Sequence, residues 1–255
     1  MKRIKRRTFS GVVCEQIVYS VSDRVKDVKK ASPPRPRFKT EEEREQHKLE
    51  ISRRRHIQLF NENFGPTSLY STLTFDDENE VHTFPEATRI LNNFIRRLQY
   101  ACPEAVIFAY KGRGKSTHRI HFHMVSEGVP EDVIEKQWRY GTVLRINHLR
   151  EHNYYEGVNY GQDYTGLANY LFDHWTPEQG GHRWKQTRNA RKPDVEPATE
   201  IKRIYTLEKP PQPPKGYVLV EAKANKYGFL YFKYVKKPPK KTRSGSKKPI
   251  PNRLS

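Results

Sequence analysis

Alternating hydrophobic and polar positions in the middle of the chain predict four β-strands. The clearest run is HRIHFHMVSEG, in which Ile120, Phe122 and Met124 alternate with His121 and His123. Successive side chains of a strand point to opposite faces, so the apolar groups share one face and the two imidazoles share the other. The other three predicted strands are LYSTLTF at 69–75, AVIFAY at 105–110 and TVLRINHL at 142–149.

Two helices are predicted between these strands. Pro85 opens the first, which ends near Pro103, and its apolar stripe consists of Ile90, Leu91, Phe94, Ile95 and Leu98. Pro130 opens a shorter one that stops at Gly141. The resulting order, β-α-β-β-α-β, predicts an α+β fold of the ferredoxin-like type, with an antiparallel sheet and both helices on one face.

Further elements flank this unit. A third helix is predicted over GLANYLFDHW with Thr165 as its cap, and Tyr170 and His174 fall together along one edge of its apolar stripe. The segment EEEREQHKLEISRRRHIQLF indicates a charged helix, and YVLVEAKANKYGFLYFKYV indicates a C-terminal β-hairpin.

Both ends of the chain are basic and are expected to form tails. KRIKRR and the proline-rich ASPPRPRF predict little packed structure over 1–38, and KKPPKKTRSGSKKPIPNRLS predicts a disordered arm. The expected organisation is therefore a basic tail and charged helix over 1–60, a central domain over 61–195, a connector and hairpin over 196–235, and a basic tail over 236–255.

The net charge of the chain favours one class of binding partner. The chain has 48 Lys and Arg against 29 Asp and Glu, a formal charge of +19. This excess favours nucleic acid over an anionic membrane, although a generic basic protein has the same signature. No window approaches the ~20 apolar residues of a membrane span, and two cysteines are too few for a disulfide framework. A soluble, cytoplasmic protein without a membrane partner is expected.

The candidate chemistry lies in two places. His121 and His123, on one strand face, are either surface imidazoles or a pair that converges on one metal ion. Tyr170 is either an ordinary helix-edge residue or a covalent nucleophile, since a phenolate can attack an electrophile. Tyr164 is the rival nucleophile, but we expect it to precede the helix.

Three motifs in this order resemble the HUH endonucleases, specifically the single-tyrosine rolling-circle replication initiators of phages, plasmids and integrated mobile elements. They are STLTF, the histidine–hydrophobe–histidine motif HFH, and ANYLFDHW; the following GHRWKQTRNARKP is also similar. The resemblance covers roughly 60–195. HFH alone is a weak signal, but its place on this predicted scaffold ahead of a tyrosine helix is more specific.

The resemblance implies a mechanism. His121 and His123 would hold Mg²⁺ or Mn²⁺ at the scissile phosphate, with no small-molecule cofactor. Tyr170 would attack single-stranded DNA or an extruded origin hairpin and leave a 5′-phosphotyrosine and a free 3′-hydroxyl. Because no motor domain is visible in the sequence, a host or co-encoded helicase is expected to separate the strands.

The sequence departs from the family pattern at two positions. Many members carry a glutamate as third ligand on the strand before HFH, but FAYKGRGK has no acid, so His118 is the candidate substitute. The family often has a lysine three residues after the tyrosine; that residue here is Asp173, and His174 or a nearby Lys or Arg is the candidate replacement. A third histidine in the metal motif is a feature of the related relaxases.

Basic residues near these motifs are expected to contact the DNA backbone. They are Lys111, Arg113, Lys115, Arg119, Arg183, Lys185 and Arg188. Three alternatives stay open: a non-catalytic nucleic-acid-binding module, a metal-dependent phosphodiesterase that uses water, and a relaxase or transposase of the same superfamily.

Overall fold

The computed structural model describes residues 1–237 except 35, 115, 156 and 226–228. Four α-helices lie in this part of the chain: α1 Glu41–Asn63, α2 Phe84–Ala101, α3 Glu131–Gln137 and α4 Thr165–Phe172. The strands are β1 Lys2–Ser10, β2 Val13–Val21, β3 Leu69–Thr74, β4 Val106–Arg113, β5 Ile120–Glu127, β6 Val143–His148, β7 Tyr154–Tyr155, β8 Val158–Asn159, β9 Lys185–Gln186, β10 Asp194–Val195, β11 Thr199–Glu200, β12 Tyr217–Ala224 and β13 Leu230–Lys236.

The central sheet has the strand order β6-β3-β5-β4-β9, and every neighbouring pair is antiparallel. Its elements follow one another along the chain as β3, α2, β4, β5, α3 and β6. The α+β class expected from the sequence is therefore confirmed. The four strands and two helices predicted for the middle of the chain are present, with ends that differ by a few residues.

Each face of the central sheet is covered by two helices. On one face, the apolar side chains of β5 pack with the predicted stripe of α2 and with Ile134 of α3. On the other face, Phe108 and Tyr110 of β4 pack with Phe60 of α1 and Leu171 of α4. The sheet is thus buried on both sides, and the second face also carries His121 and His123.

The N-terminal segment is not a tail, and that expectation is wrong. β1 and β2 pair in register from Lys2↔Val21 to Ser10↔Val13. The cations of β1 that suggested a tail find acceptors within the fold: Arg6 donates to the carbonyl of Ala31 at 2.7 Å, and Arg7 donates to Gln16 at 2.8 Å. Ile4 on the same strand is fully buried, so the strand alternation outweighs the charge.

Strands from the two ends of the described chain form a second sheet, which corrects the expected division at residues 60 and 195. Its order is β10-β1-β2-β13-β12, and β11 also pairs with β1. β13 pairs with β2 over Leu230↔Val18 to Val235↔Val13, so the predicted C-terminal hairpin completes a sheet begun by the N-terminal one. The expected basic tail, apart from 236–237, lies outside the described residues.

Helix α1 connects the two sheets. Its N-terminus is capped by Thr40, whose hydroxyl accepts from the backbone N–H of Glu43 at 3.2 Å. Arg54 and Gln58 of α1 donate to the buried carboxylate of Glu15 on β2, which also accepts from Tyr231 of β13 at 2.7 Å. Within the described part of the chain, no helix has both the length and the apolar character needed to cross a membrane.

Candidate active site

Strand β5 places His121 and His123 side by side on the face that carries α1 and α4. The register pairs them with Thr74 and Thr72 of β3, respectively. Their Nε2 atoms are 3.2 Å apart, and the ring planes are nearly perpendicular at 82°. The predicted convergence of the two imidazoles is therefore present.

Strand β4 leaves space for this pair through a glycine. Gly112 pairs with His121, and a Cβ atom added at Gly112 would lie 2.6 Å from Nε2 of His121. Any larger residue at this position would displace the imidazole. Gly112 is thus a residue of β4 that leaves space for the His121 ring.

His123 is fixed by two neighbours on β3. Its Nδ1 is 2.7 Å from the Tyr70 hydroxyl and 3.3 Å from the Thr72 hydroxyl, and the Tyr70 ring is stacked on the imidazole at 17°. Burial, followed by the neighbouring His174 and His121, lowers the pKa of His123 to about 3. Burial also lowers the pKa of His121. Both rings are therefore neutral at neutral pH, the form that binds metal.

A third histidine joins the pair, and it is His174 rather than the predicted His118. One nitrogen from each of His121, His123 and His174 lies within 4.8 Å of the others. His118 is exposed, with φ at 55°, and lies in the turn before β5 begins at Ile120. The turn separates it from the strand face that carries the pair, so it is outside this group.

Tyr170 lies beside the histidines. Its ring centroid is 6.2 Å from that of His123 and 4.3 Å from that of His174, and 53% of the residue is exposed. The rival Tyr164 is only 2% exposed, precedes the first residue of α4 and donates its hydroxyl to the carbonyl of Arg150 at 2.9 Å. Burial raises the pKa of Tyr164 to about 12. Tyr170 is thus the accessible phenol of the two.

Asp173, at the position where the family often has lysine, has a structural role. Both of its carboxylate oxygens accept from the guanidinium of Arg53 on α1, at 2.8 and 2.5 Å. This hydrogen-bonded pairing lowers the pKa of Asp173. The carboxylate therefore attaches the end of α4 to α1, and the side chain near Tyr170 is His174.

The cations predicted to contact DNA differ in their surroundings. Lys111 donates to Thr88 and to the carbonyl of Gln179 at 3.0 and 3.1 Å, and Arg119 pairs with Asp77 and Glu80. Arg113 donates to the carbonyl of His118 at 2.9 Å, and Arg183 lies over the rings of Phe172 and Trp175. Lys185 and Arg188 are exposed. Lys115 lies outside the described residues.

Two features of the site were missed by sequence reasoning. The motif pattern offers His174 only as a replacement for the family lysine, because His174 follows α4 and its approach to β5 depends on how that helix packs. Tyr70 was missed although it is two residues from Thr72 on a predicted strand, a spacing that places both on the histidine face.

The donor atoms fit a divalent ion because nitrogens from three imidazoles lie close together beside an exposed phenol. Comparisons with protein-family models, curated proteins and solved structures found no match to this chain. The assignment of function therefore rests on this geometry and on the motifs.

Proposed function

We propose that this protein is a DNA-nicking and strand-joining enzyme, a rolling-circle replication initiator of the HUH type that uses Tyr170 as its nucleophile. The observation that carries the proposal is the position of the exposed Tyr170 ring. Its centroid is 6.2 Å from the centroid of the His123 ring, and it lies on the same side of the sheet as the histidine pair. A phenol and a metal-binding pair at one phosphodiester are the two components that this reaction needs.

The topology supports the same proposal. The order β6-β3-β5-β4, with α2 and α3 packed on one face, is the order expected for a ferredoxin-like βαββαβ unit. The histidine motif lies on β5, an interior strand of the sheet, and the tyrosine helix lies across the opposite face from α2 and α3. Fold and site therefore agree with the motif resemblance.

The proposed reaction is a transesterification. The Tyr170 oxygen attacks the phosphorus of single-stranded DNA, the bond from phosphorus to the 3′-oxygen breaks, and a proton is transferred overall from the phenol to that oxygen. The product is a 5′-phosphotyrosine and a free 3′-hydroxyl that primes synthesis. Because the phosphodiester energy is retained in the covalent link, the reverse step rejoins the strand. A divalent ion held by His121 and His123, Mg²⁺ or Mn²⁺, would offset charge on the phosphate.

The chain's charge supports the choice of substrate. Exposed cations such as Lys185 and Arg188 are available to neutralise phosphates, and the exposed Tyr170 ring offers a surface on which a base can stack. We propose that DNA binds as a single strand or an extruded origin hairpin, after a host or co-encoded helicase has opened the duplex.

The experiment is a nicking assay with labelled origin-like single-stranded DNA and Mn²⁺. Wild-type protein should form a protein–DNA adduct that survives denaturation. Tyr170→Phe should abolish the adduct while retaining DNA binding, and Tyr164→Phe is the control because Tyr164 is buried.

The histidine pair is tested in the same assay. His121→Ala combined with His123→Ala should prevent both adduct formation and strand cleavage. If Tyr170→Phe still forms an adduct, the assignment of Tyr170 as the nucleophile is wrong. Strand cleavage without any adduct would favour the rival class, a phosphodiesterase that uses water, and DNA binding without cleavage would favour a non-catalytic module.

A further inference from the structure

The segment that carries Tyr170 also carries His174, which lies beside His121 and His123. We propose that His174 completes a three-imidazole site with His121 and His123, and that this site selects first-row transition ions in the order Zn²⁺ above Co²⁺ above Mn²⁺ and does not bind Mg²⁺ at comparable concentrations. The inference rests on the proposed function and deepens it. It excludes Mg²⁺, one of the two ions named for that function, and it places the third ligand four residues after Tyr170.

The three rings are oriented alike, each with Nδ1 beside a polar group. His174 donates from Nδ1 to the carbonyl of Tyr170 at 2.8 Å, so its Nε2 is left free. Nδ1 of His123 has the Tyr70 hydroxyl at 2.7 Å, and Nδ1 of His121 has the carbonyl of Arg119 at 3.4 Å. Each ring thus has a polar neighbour at Nδ1, the arrangement that presents Nε2 to a metal.

The spacing of the nitrogens also fits a shared ion. Two nitrogens that are each about 2.1 Å from a common ion, at tetrahedral or octahedral angles, lie roughly 3.0–3.4 Å apart. The Nε2 atoms of His121 and His123 are 3.2 Å apart. The centroid of the His174 ring lies 4.5 Å from that of His123, and one nitrogen of each of the three rings lies within 4.8 Å of the others. His174 is therefore close enough to supply a third nitrogen, and three ligands leave further positions open to DNA.

The donor atoms of this group are all imidazole nitrogens. The group found among the described residues contains three histidines and no carboxylate. Mg²⁺ requires oxygen ligands and is held poorly by neutral nitrogen, whereas imidazole suits the later transition ions, whose affinity rises from Mn²⁺ through Co²⁺. A site with this composition therefore discriminates against Mg²⁺ by ligand type.

An ion bound by His174 would also restrain Tyr170, which is four residues earlier in the chain. His174 bonds to the carbonyl of Tyr170, and the two rings are 4.3 Å apart. An ion that holds His174 also holds the last turn of α4, to which Tyr170 belongs. We therefore expect Zn²⁺ to slow amide hydrogen exchange in the segment from 165 to 175, and this slowing should persist in Tyr170→Phe.

The test is titration of the full-length protein with Co²⁺, followed by visible absorption, without DNA. We expect one Co²⁺ per chain, which a roughly 100-fold excess of Mg²⁺ does not displace. Removal of a group that only supports a metal ligand weakens metal binding by roughly 10–100-fold. Because His174 is proposed as a ligand itself, His174→Ala should weaken Co²⁺ binding by more than that. His118→Ala, which removes an exposed neighbour outside the group, should bind Co²⁺ like wild type.

A second measurement needs no variant. Proton NMR of the Co²⁺ protein should show three exchangeable hyperfine-shifted signals, one from each imidazole Nδ1–H. Two signals, wild-type affinity in His174→Ala, or displacement of Co²⁺ by a roughly 100-fold excess of Mg²⁺ would overturn the inference. Adduct formation is scored separately: Co²⁺ binding without an adduct would reject the proposed function alone, and an adduct in Mg²⁺ from protein that does not bind Co²⁺ would reject this inference alone.

Discussion

At the scale of single residues, the site depends on a glycine that leaves space for a histidine ring. Gly112 lies opposite His121 in the register, and the glycine hydrogen occupies the position where a Cβ would meet the imidazole. The sequence predicted a histidine pair because HFH alternates with apolar residues. It did not predict the glycine's role, because that depends on which residue of β4 pairs with His121.

Gly112→Ala should weaken Co²⁺ binding by at least about tenfold, comparable to the loss of a group that supports a metal ligand. The added methyl would lie 2.6 Å from Nε2 of His121, and this ring can rotate away without unfolding the sheet. Gly65→Ala is the matched control, since nothing lies within 4 Å of an added Cβ there. Equal Co²⁺ affinity in both variants would contradict the role given to Gly112.

A second residue links stability to pH. His56 of α1 is fully buried among aromatic rings, with Nε2 2.8 Å from the Tyr110 hydroxyl. Burial, followed by the charge of Arg53, lowers the pKa of His56 to about 3. Between the ordinary histidine pKa of about 6.5 and that value, the unfolded chain binds a proton that the native protein does not.

The free energy of unfolding should therefore fall as the pH drops through this window, by up to about 1.4 kcal/mol per pH unit from His56 alone. Above about pH 6.5 this contribution is constant. Urea unfolding of wild type and His56→Gln at pH 7 and pH 5 measures the difference, and the variant should lose less stability between them. Identical pH dependence in the two proteins would show that His56 is not the responsible group.

At the scale of elements, α4 is held at both ends by groups distant in sequence. Arg53 of α1 holds Asp173 at its end, and Lys233 of β13 pairs with Asp163 just before its start, at 2.6 Å. Lys233 also donates to Thr165 at 2.8 Å. Periodicity predicted the helix and its buried residues, but it carried no information about these partners, because each lies more than 60 residues away in the chain.

Lys233→Met should destabilise the protein by about 3–5 kcal/mol, because it leaves the Asp163 carboxylate buried without its cation. The two side chains are 10% and 5% exposed, so water does not replace the missing partner. Urea unfolding measures the loss, and Lys233→Met combined with Asp163→Asn should recover part of it. A loss below about 1 kcal/mol in the single variant would indicate a weak, solvent-like pair.

At the scale of the whole molecule, the sequence predicts the central sheet better than the terminal sheet. Strands β3 to β6 of the central sheet and the helices between them follow one another in the chain, and local patterns predict them. The edge strand β9 of this sheet, which pairs with β4 from about 75 residues away, is not indicated by any local pattern. The terminal sheet pairs Val18 with Leu230, and no local pattern indicates such a partner. The charge of β1 alone therefore predicts a tail, and only its pairing with β2, β10 and β11 shows that it is a strand.

Binding of single-stranded DNA should weaken as salt rises, and the exposed cations should carry part of this dependence. Lys185→Ala combined with Arg188→Ala should reduce the slope of log affinity against log salt by roughly 1.4, about 0.7 for each phosphate that is no longer neutralised. Arg119→Ala should change the slope less, because that guanidinium is paired with Asp77 and Glu80. Fluorescence anisotropy at several salt concentrations provides the slopes, and equal slopes in all three proteins would contradict this assignment.

The most direct measurement is to map the covalent protein–DNA linkage. Wild-type protein is incubated with single-stranded DNA and Mn²⁺, digested with protease and nuclease, and analysed by mass spectrometry. The nucleotide should be found on Tyr170, with the released DNA fragment ending in a 3′-hydroxyl. A nucleotide attached to any other residue, or DNA cut with no residue modified, would contradict the proposal that this phenol, beside His121 and His123, is the nucleophile.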